Sequence, residues 1–216
     1  MSFAHLAELA SKSGGILYIM PLLLLVTLTV SLERTIALAR LLTGGRSLIE
    51  ALRPIQNLRG HDLSTEFKAY ANQPIGMVLK VIEEYPGVHD RGELDDLLEE
   101  AILNQVPQLD RSLWLLDTAI TLAPLLGLLG TIIGMFNAFQ ILGSSDGAPT
   151  QVTGGIAEAL AATAFGLAIA IVGLIFFNAL QARIRLVVHN METVKMMLIT
   201  RIAHQTRPVP FQNAAQ

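Results

Sequence analysis

The chain has 216 residues, a formal net charge of −3 and 15% charged side chains against 52% hydrophobic ones. Its mean hydropathy of +0.51 is too apolar for an ordinary soluble domain and indicates an integral membrane protein. There is no cysteine, which excludes disulfides, thiolate metal sites and cysteine nucleophiles. No HExxH, P-loop, GxGxxG or GxSxG pattern gives a reason to propose an enzyme, and nothing calls for a metal, a cofactor or nucleic acid.

In chain order, residues 1–13 form a short N-terminal segment. The first transmembrane helix is expected over 14–32, inside the uncharged run Ser13–Leu32. Twenty helical residues reach about 30 Å, the thickness of the hydrocarbon core. A cleaved signal peptide is the competing reading. The run is long for a signal core, and Glu33-Arg34 follows without a small-residue cleavage site. Residues 33–117 read as a helical cytoplasmic region, divided by Pro54, Pro74 and Pro86 into shorter helices. Asp90-x-x-Glu93 has the form of a capping box. Leu94, Leu97, Leu98, Ala101, Ile102 and Gln105 then trace a stripe at helical spacing. This helix is expected to run, with a kink at Pro107, into the second transmembrane helix at 118–142. A Gly/Ser/Pro turn fills 143–151 and a third transmembrane helix 152–182. It continues as a cytoplasmic helix over 183–204, with Ile184, Val187, Val188, Met191, Val194, Leu198 and Ile202 as its packing stripe. Residues 205–216 read as a flexible tail. The fold class expected is therefore an all-α membrane protein with three transmembrane helices, two of them extended into a helical cytoplasmic region.

Orientation follows from the basic residues. Nine Lys/Arg fall in Glu33–Asp117 and five after Gln181, none lies between the second and third spans, and Lys12 alone precedes the first. The positive-inside rule puts the large loop and the C-terminus in the cytoplasm, and the N-terminus and short turn outside.

No lysine or arginine occurs between Arg111 and Arg183, and the acidic residues of that stretch are Asp117, Asp146 and Glu158. Only Glu158 sits within a hydrophobic helix pattern. A carboxyl there costs roughly 2.5–3.5 kcal/mol on insertion scales, so a functional reading is the default: carrying a proton, binding an ion or pairing with a partner's charge. The plainer alternative is a glutamate reaching interfacial water near a helix end. Steps of four place Gly154, Glu158, Ala162, Gly166 and Ala170 along one ridge of small residues, the surface on which membrane helices pack closely. The second span offers Gly127, Gly130 and Gly134 for the same purpose, with Thr131 inside the Gly130/Gly134 pair and Pro124 removing one backbone donor. Thr131 and Thr163 carry hydroxyls that both donate and accept, and with water they extend a proton pathway from Glu158. Thr163 lies roughly 7.5 Å along the axis from Glu158 and about 140° around it, so the two do not touch on one ideal helix. A path through both Glu158 and Thr163 is expected to need water or a neighbouring subunit.

The stretch Ala123-Pro-Leu-Leu-Gly-Leu-Leu-Gly-Thr-Ile-Ile-Gly-Met-Phe-Asn-Ala-Phe139, followed by Gly155-Ile-Ala-Glu-Ala-Leu-Ala-Ala-Thr-Ala-Phe-Gly-Leu167, resembles the MotA/TolQ/ExbB proton-channel family, nearest to its ExbB and TolQ branch. By that resemblance Glu158 takes the family's transmembrane glutamate, and Thr131 and Thr163 its two pore threonines. The resemblance also implies a multi-pass subunit of the bacterial inner membrane with a periplasmic N-terminus and a cytoplasmic C-terminus. It implies a homo-oligomer, a pentamer, around the transmembrane helices of an ExbD/TolR-like single-span partner dimer. Proton flow would then energise outer-membrane transport through a TonB-like protein, or the Tol–Pal envelope system in a TolQ-like subunit. An ion-coupled small-solute transporter is the alternative from a different class, but no inverted repeat is visible in the chain. A purely structural scaffold would leave Glu158 idle.

The charge asymmetry makes a direct prediction. A cysteine introduced at Asp146 should react with an impermeant reagent in intact spheroplasts, and one at His89 should not. The reverse labelling pattern would invert the orientation.

Overall fold

The computed structural model describes residues 16–55, 68–88, 90–143 and 149–203. The N-terminal segment, His89, turn residues 144–148 and the tail lie outside the described residues. Among those described, the long elements are all helices: α1 (Ile16–Leu52), α2 (Pro74–Glu84), α3 (Arg91–Leu109), α4 (Leu113–Leu142) and α5 (Pro149–Ala203). Three of them, α1, α4 and α5, are long and apolar enough to cross a membrane. The protein is an all-α membrane protein. The chain divides into two compact units, the first from residues 1–35 and 112–180, the second from 36–111 and 181–216.

In the first unit Met20 of α1, Ala123 of α4 and Ile169 of α5 form a small core, with Leu23, Leu24, Leu126 and Ile133 packed on it. Two polar residues of α1 are buried, and each is satisfied one turn back. Thr27 Oγ1 donates to the Leu23 carbonyl at 2.8 Å and Ser31 Oγ to that of Thr27 at 2.6 Å. Small side chains let the helices close together. A Cβ on Gly173 would stand 2.9 Å from Ile120 and 3.4 Å from Thr27. Leu22, Leu128, Ile132, Phe136, Ile171 and Ile175 are exposed, an outward apolar surface suited to lipid.

Ile199 aside, the buried positions of α5 are Val152, Ala159, Ala162, Gly166, Ile169, Gly173 and Leu180, then Ile184, Val187, Met191, Val194 and Leu198. They follow one another by steps of three, four or seven, the spacing of a helix seam that keeps facing its neighbours. In the first unit the seam is built mainly of Ala and Gly, and in the second of Leu, Val, Ile and Met. The ridge expected by steps of four from Gly154 leaves this seam, because four residues overshoot a 3.6-residue turn by about 40°. Ala162 and Gly166 lie in the seam, Ala170 is half-buried, and Gly154 is exposed with nothing within 4 Å of an added Cβ. Among the described residues, nothing packs against Gly154.

In the second unit α2 opens with Pro74 in its first turn, where the missing N–H costs nothing. Asp90 caps α3, its carboxylate accepting from the Gly92 and Glu93 amides at 3.0 and 3.1 Å. Leu38, Leu48, Leu79, Leu98, Met191 and Leu198 are all fully buried in this unit. Two cations tie its helices together. Lys195 Nζ of α5 lies 2.9 Å from Asp95 Oδ1 and 2.7 Å from Glu99 Oε2 of α3. The Arg201 guanidinium donates to the Leu52 carbonyl, and to that of Arg53 at 3.3 Å, satisfying acceptors at the C-terminal end of α1.

The expectation of one kinked helix running from Asp90 into the second span is corrected. Helix α3 passes through Pro107 to Leu109 and stops, with the Asp110 amide on the Val106 carbonyl at 3.0 Å. Ser112 then takes a left-handed conformation, φ 69°, and α4 begins at Leu113. The proline removes only its own donor. Ser112, between the two helices, accepts from Arg34 Nη2 at 3.3 Å through its hydroxyl. Arg34, only 12% exposed, also lies 3.2 Å from Glu33. The two membrane helices prolonged into the second unit are therefore α1 and α5.

Two predictions follow from this packing. Burial of the Lys195 ammonium pulls its pKa down, but the hydrogen bonds and charges of Glu99 and Asp95 outweigh that and hold it above the ordinary 10.5. A raised pKa stabilises the fold fully below pH 10.5 and loses that effect as pH climbs through the folded value. Lys195→Met should therefore destabilise the protein by about 1 kcal/mol at pH 7, and the deficit should vanish in strongly alkaline buffer. Denaturation of both proteins across pH checks this. Separately, a Cβ at Gly166 would overlap the Ala123 backbone carbonyl, so Gly166→Ala should cost about 1–3 kcal/mol. Gly154→Ala, in open space, should be neutral or stabilising. Equal melting temperatures for the two variants would show that the α4–α5 approach is not tight.

Candidate functional site

The site is built where α4 and α5 approach most closely in the first unit. A Cβ on Gly127 would stand 3.0 Å from the Ala162 carbonyl and the Thr163 Cα, and one on Gly134 would stand 2.7 Å from Ala159 Cβ. Gly127, Gly130, Ala162 and Gly166 are buried, while Gly134 and Pro124 are half-buried. Pro124 lies inside α4 without ending it. The glycines are there because any larger residue would hold the two backbones apart.

That approach brings the two threonines together. Thr131 Oγ1 and Thr163 Oγ1 are in direct hydrogen-bond contact across the helix pair. Thr163 Oγ1 also donates to the Gly127 carbonyl at 2.9 Å. Thr131 Oγ1 has the Gly127 and Ala159 carbonyls at 3.2 and 3.3 Å as acceptors. Two hydroxyl protons thus share two carbonyls and each other's oxygens, so the donor direction within the pair is reversible. The sequence pattern alone does not join the two threonines. Opposition of Gly127 and Thr163 on adjacent helices does it within one chain.

Glu158 is half-buried, with its Oε1 shielded from solvent. It lines a cleft of about 690 Å³ with Gly130, Gly134, Asn137, Gly154, Gly155 and Ala162. The threonine pair is not part of this lining. Ala159 connects the two places: it borders the cleft, and its carbonyl is an acceptor for Thr131. The arrangement is a carboxyl facing a roomy cleft of small residues, with a hydroxyl pair beside it. It can exchange protons at the carboxylate and pass a proton by reorienting hydroxyls. Among the described residues no group of three or more His, Asp or Glu is placed to hold a metal ion.

Sequence reasoning missed Ala159, Gly155 and Asn137 as part of this site. The signal for Ala159 was the three-and-four seam from Val152 to Leu180, which steps of four obscure. Gly155 offered only its adjacency to Gly154, and Asn137 only its place as a polar residue near the end of the second span.

Residues 71–193 match the model of the MotA/TolQ/ExbB proton channel family. An ExbB-like biopolymer transport protein of Synechocystis is 47% identical over 88 residues, 39% of this chain and 42% of that protein. An ExbB homologue of Methanothermobacter thermautotrophicus is 34% identical over 122 residues, 56% of this chain and 43% of its own. The Tol-Pal system protein TolQ of Pseudomonas aeruginosa is 36% identical over 106 residues, 47% of this chain and 46% of its own. The chain spans less than half the length of each of these relatives. The family match covers more than half of the chain and includes all of α4 together with the Glu158 segment of α5, and on that ground the protein belongs to the MotA/TolQ/ExbB proton channel family.

Proposed function

We propose that this chain is the proton-conducting motor subunit of a bacterial inner-membrane complex, and that Glu158 is its proton carrier. The observation that carries the reading is the placement of Glu158: a carboxyl on a membrane helix, shielded at Oε1, on a cleft of about 690 Å³ lined mainly by Gly and Ala. A charge at that depth is costly, so gain or loss of the proton changes the energy of whatever helix fills the cleft. Coupling of proton transfer to movement of a partner needs that property. The Thr131–Thr163 pair continues the path by passing a proton between its two hydroxyls, which the Gly127 and Ala159 carbonyls orient.

The relatives named ExbB support energisation of outer-membrane transport through a TonB-like protein. The TolQ relative, aligned over a longer stretch than the Synechocystis one, supports the second reading, a subunit of the Tol–Pal envelope system. In either case the chain assembles as a homo-oligomer, a pentamer in the family pattern. An ExbD/TolR-like single-span dimer fills the ring and supplies the opposing acidic residue. The N-terminus lies in the periplasm and the C-terminus in the cytoplasm, as the basic residues dictate.

Glu158→Gln keeps shape and hydrogen-bonding capacity but cannot exchange a proton. It should leave protein level and oligomer size unchanged and reduce proton-driven uptake to background. Thr131→Val and Thr163→Val should lower activity by a smaller factor, since water substitutes for a hydroxyl. Growth dependent on energised outer-membrane uptake, with envelope resistance to sodium cholate as the Tol–Pal counterpart, reads the outcome. Full activity of Glu158→Gln in both assays would return this residue to a packing role.

A further inference from the structure

The second unit contains a polar feature that the proton-channel reading does not use. Helix α1 carries Gly44 and Gly45 side by side in its interior, although each glycine costs a helix roughly 0.5–1 kcal/mol relative to Ala. Their surroundings explain them. A Cβ on Gly44 would overlap the Gln73 side-chain amide, and one on Gly45 would stand 2.9 Å from Asn190 Nδ2. The two glycines make room for two amide side chains, one at the N-cap of α2 and one on α5.

Those amides are not satisfied by protein. Gln73 Oε1 and Asn190 Nδ2 are both buried, and among the described residues neither has a hydrogen-bond partner. One is an acceptor and the other a donor, and both residues line the same small cavity, walled by Gly45, Leu41, Val187 and Met191. The cavity offers about 10 Å³ to a water-sized sphere. One water needs about 10–15 Å³ by that measure, together with 2–4 polar partners. Orphaned buried polar atoms are rare and costly, and here one donor and one acceptor border a space of the size of a single molecule.

We propose that this cavity is a binding site for one structural water, which donates to Gln73 Oε1 and accepts from Asn190 Nδ2. The water links the start of α2 to α5 across Gly45 of α1. It makes this corner of the unit depend on a bridged pair of amides rather than on apolar packing alone, and it accounts for the two glycines. The site is independent of Glu158 and of the direction of proton flow.

A high-resolution map of the full-length protein tests occupancy without any variant. Density for one water within about 2.7–3.2 Å of both amides is expected. An empty cavity, or Gln73 and Asn190 bonded directly to each other, overturns the proposal. A double-mutant cycle tests the bridge. Gln73→Met and Asn190→Leu should each lower the melting temperature by about 2–4 °C, because each strands the water and the opposite amide. The double variant should lose clearly less than the sum, since the whole polar group has then been replaced. Strictly additive losses would show that the two amides share no water.

Discussion

The structure of the first unit depends on one constraint: the backbones of α4 and α5 must touch. In lipid no hydrophobic force drives helices together, so association rests on van der Waals contact and on hydrogen bonds between helices. Gly127, Gly134 and Gly166 permit the contact, and an added Cβ at each would meet the facing helix at or below 3.0 Å. Once the backbones are that close, the Thr131 and Thr163 hydroxyls meet, and carbonyls of Gly127 and Ala159 come within their reach. The same small side chains leave the space beside Glu158 unfilled. Close approach, hydroxyl pair and cleft are therefore consequences of one choice of residue size.

The seam of α5 shows how one helix serves two kinds of neighbour. Its buried positions keep the same three-and-four rhythm from Val152 to Leu198. In the first unit they are mainly Ala and Gly, which suits packing by backbone proximity. In the second unit they are Leu, Val, Ile and Met, which suits burial of apolar area away from water. The second unit also uses charge, through Lys195 between Asp95 and Glu99 and through Arg201 at the end of α1. In the first unit Arg34 pairs with its own neighbour Glu33 and reaches Ser112 by a hydrogen bond.

Much of this was legible in the sequence. Three apolar segments, the cap at Asp90 and the stripe from Ile184 to Leu198 are local patterns, set by hydropathy and by the 3.6-residue period. The lone carboxyl in an apolar helix marked Glu158 without any knowledge of its neighbours. The helix break was less legible. Pro107 is a visible signal, but the helix runs past it to Leu109, and Ser112, an ordinary residue, takes a left-handed conformation that no local pattern records.

The sequence by itself determined the all-α membrane class, the apolar spans and the identity of the candidate proton carrier, because each follows from transfer energies of contiguous residues. Only the tertiary structure decided which small residues pack, that Thr131 and Thr163 meet within one chain, and that Gly154 stands open. It also decided that Gly44 and Gly45 accommodate the amides of Gln73 and Asn190. These depend on the rotation of each helix about its own axis and on its height against its neighbours. Contacts between residues far apart in the chain set both quantities, and hydropathy carries no information about either.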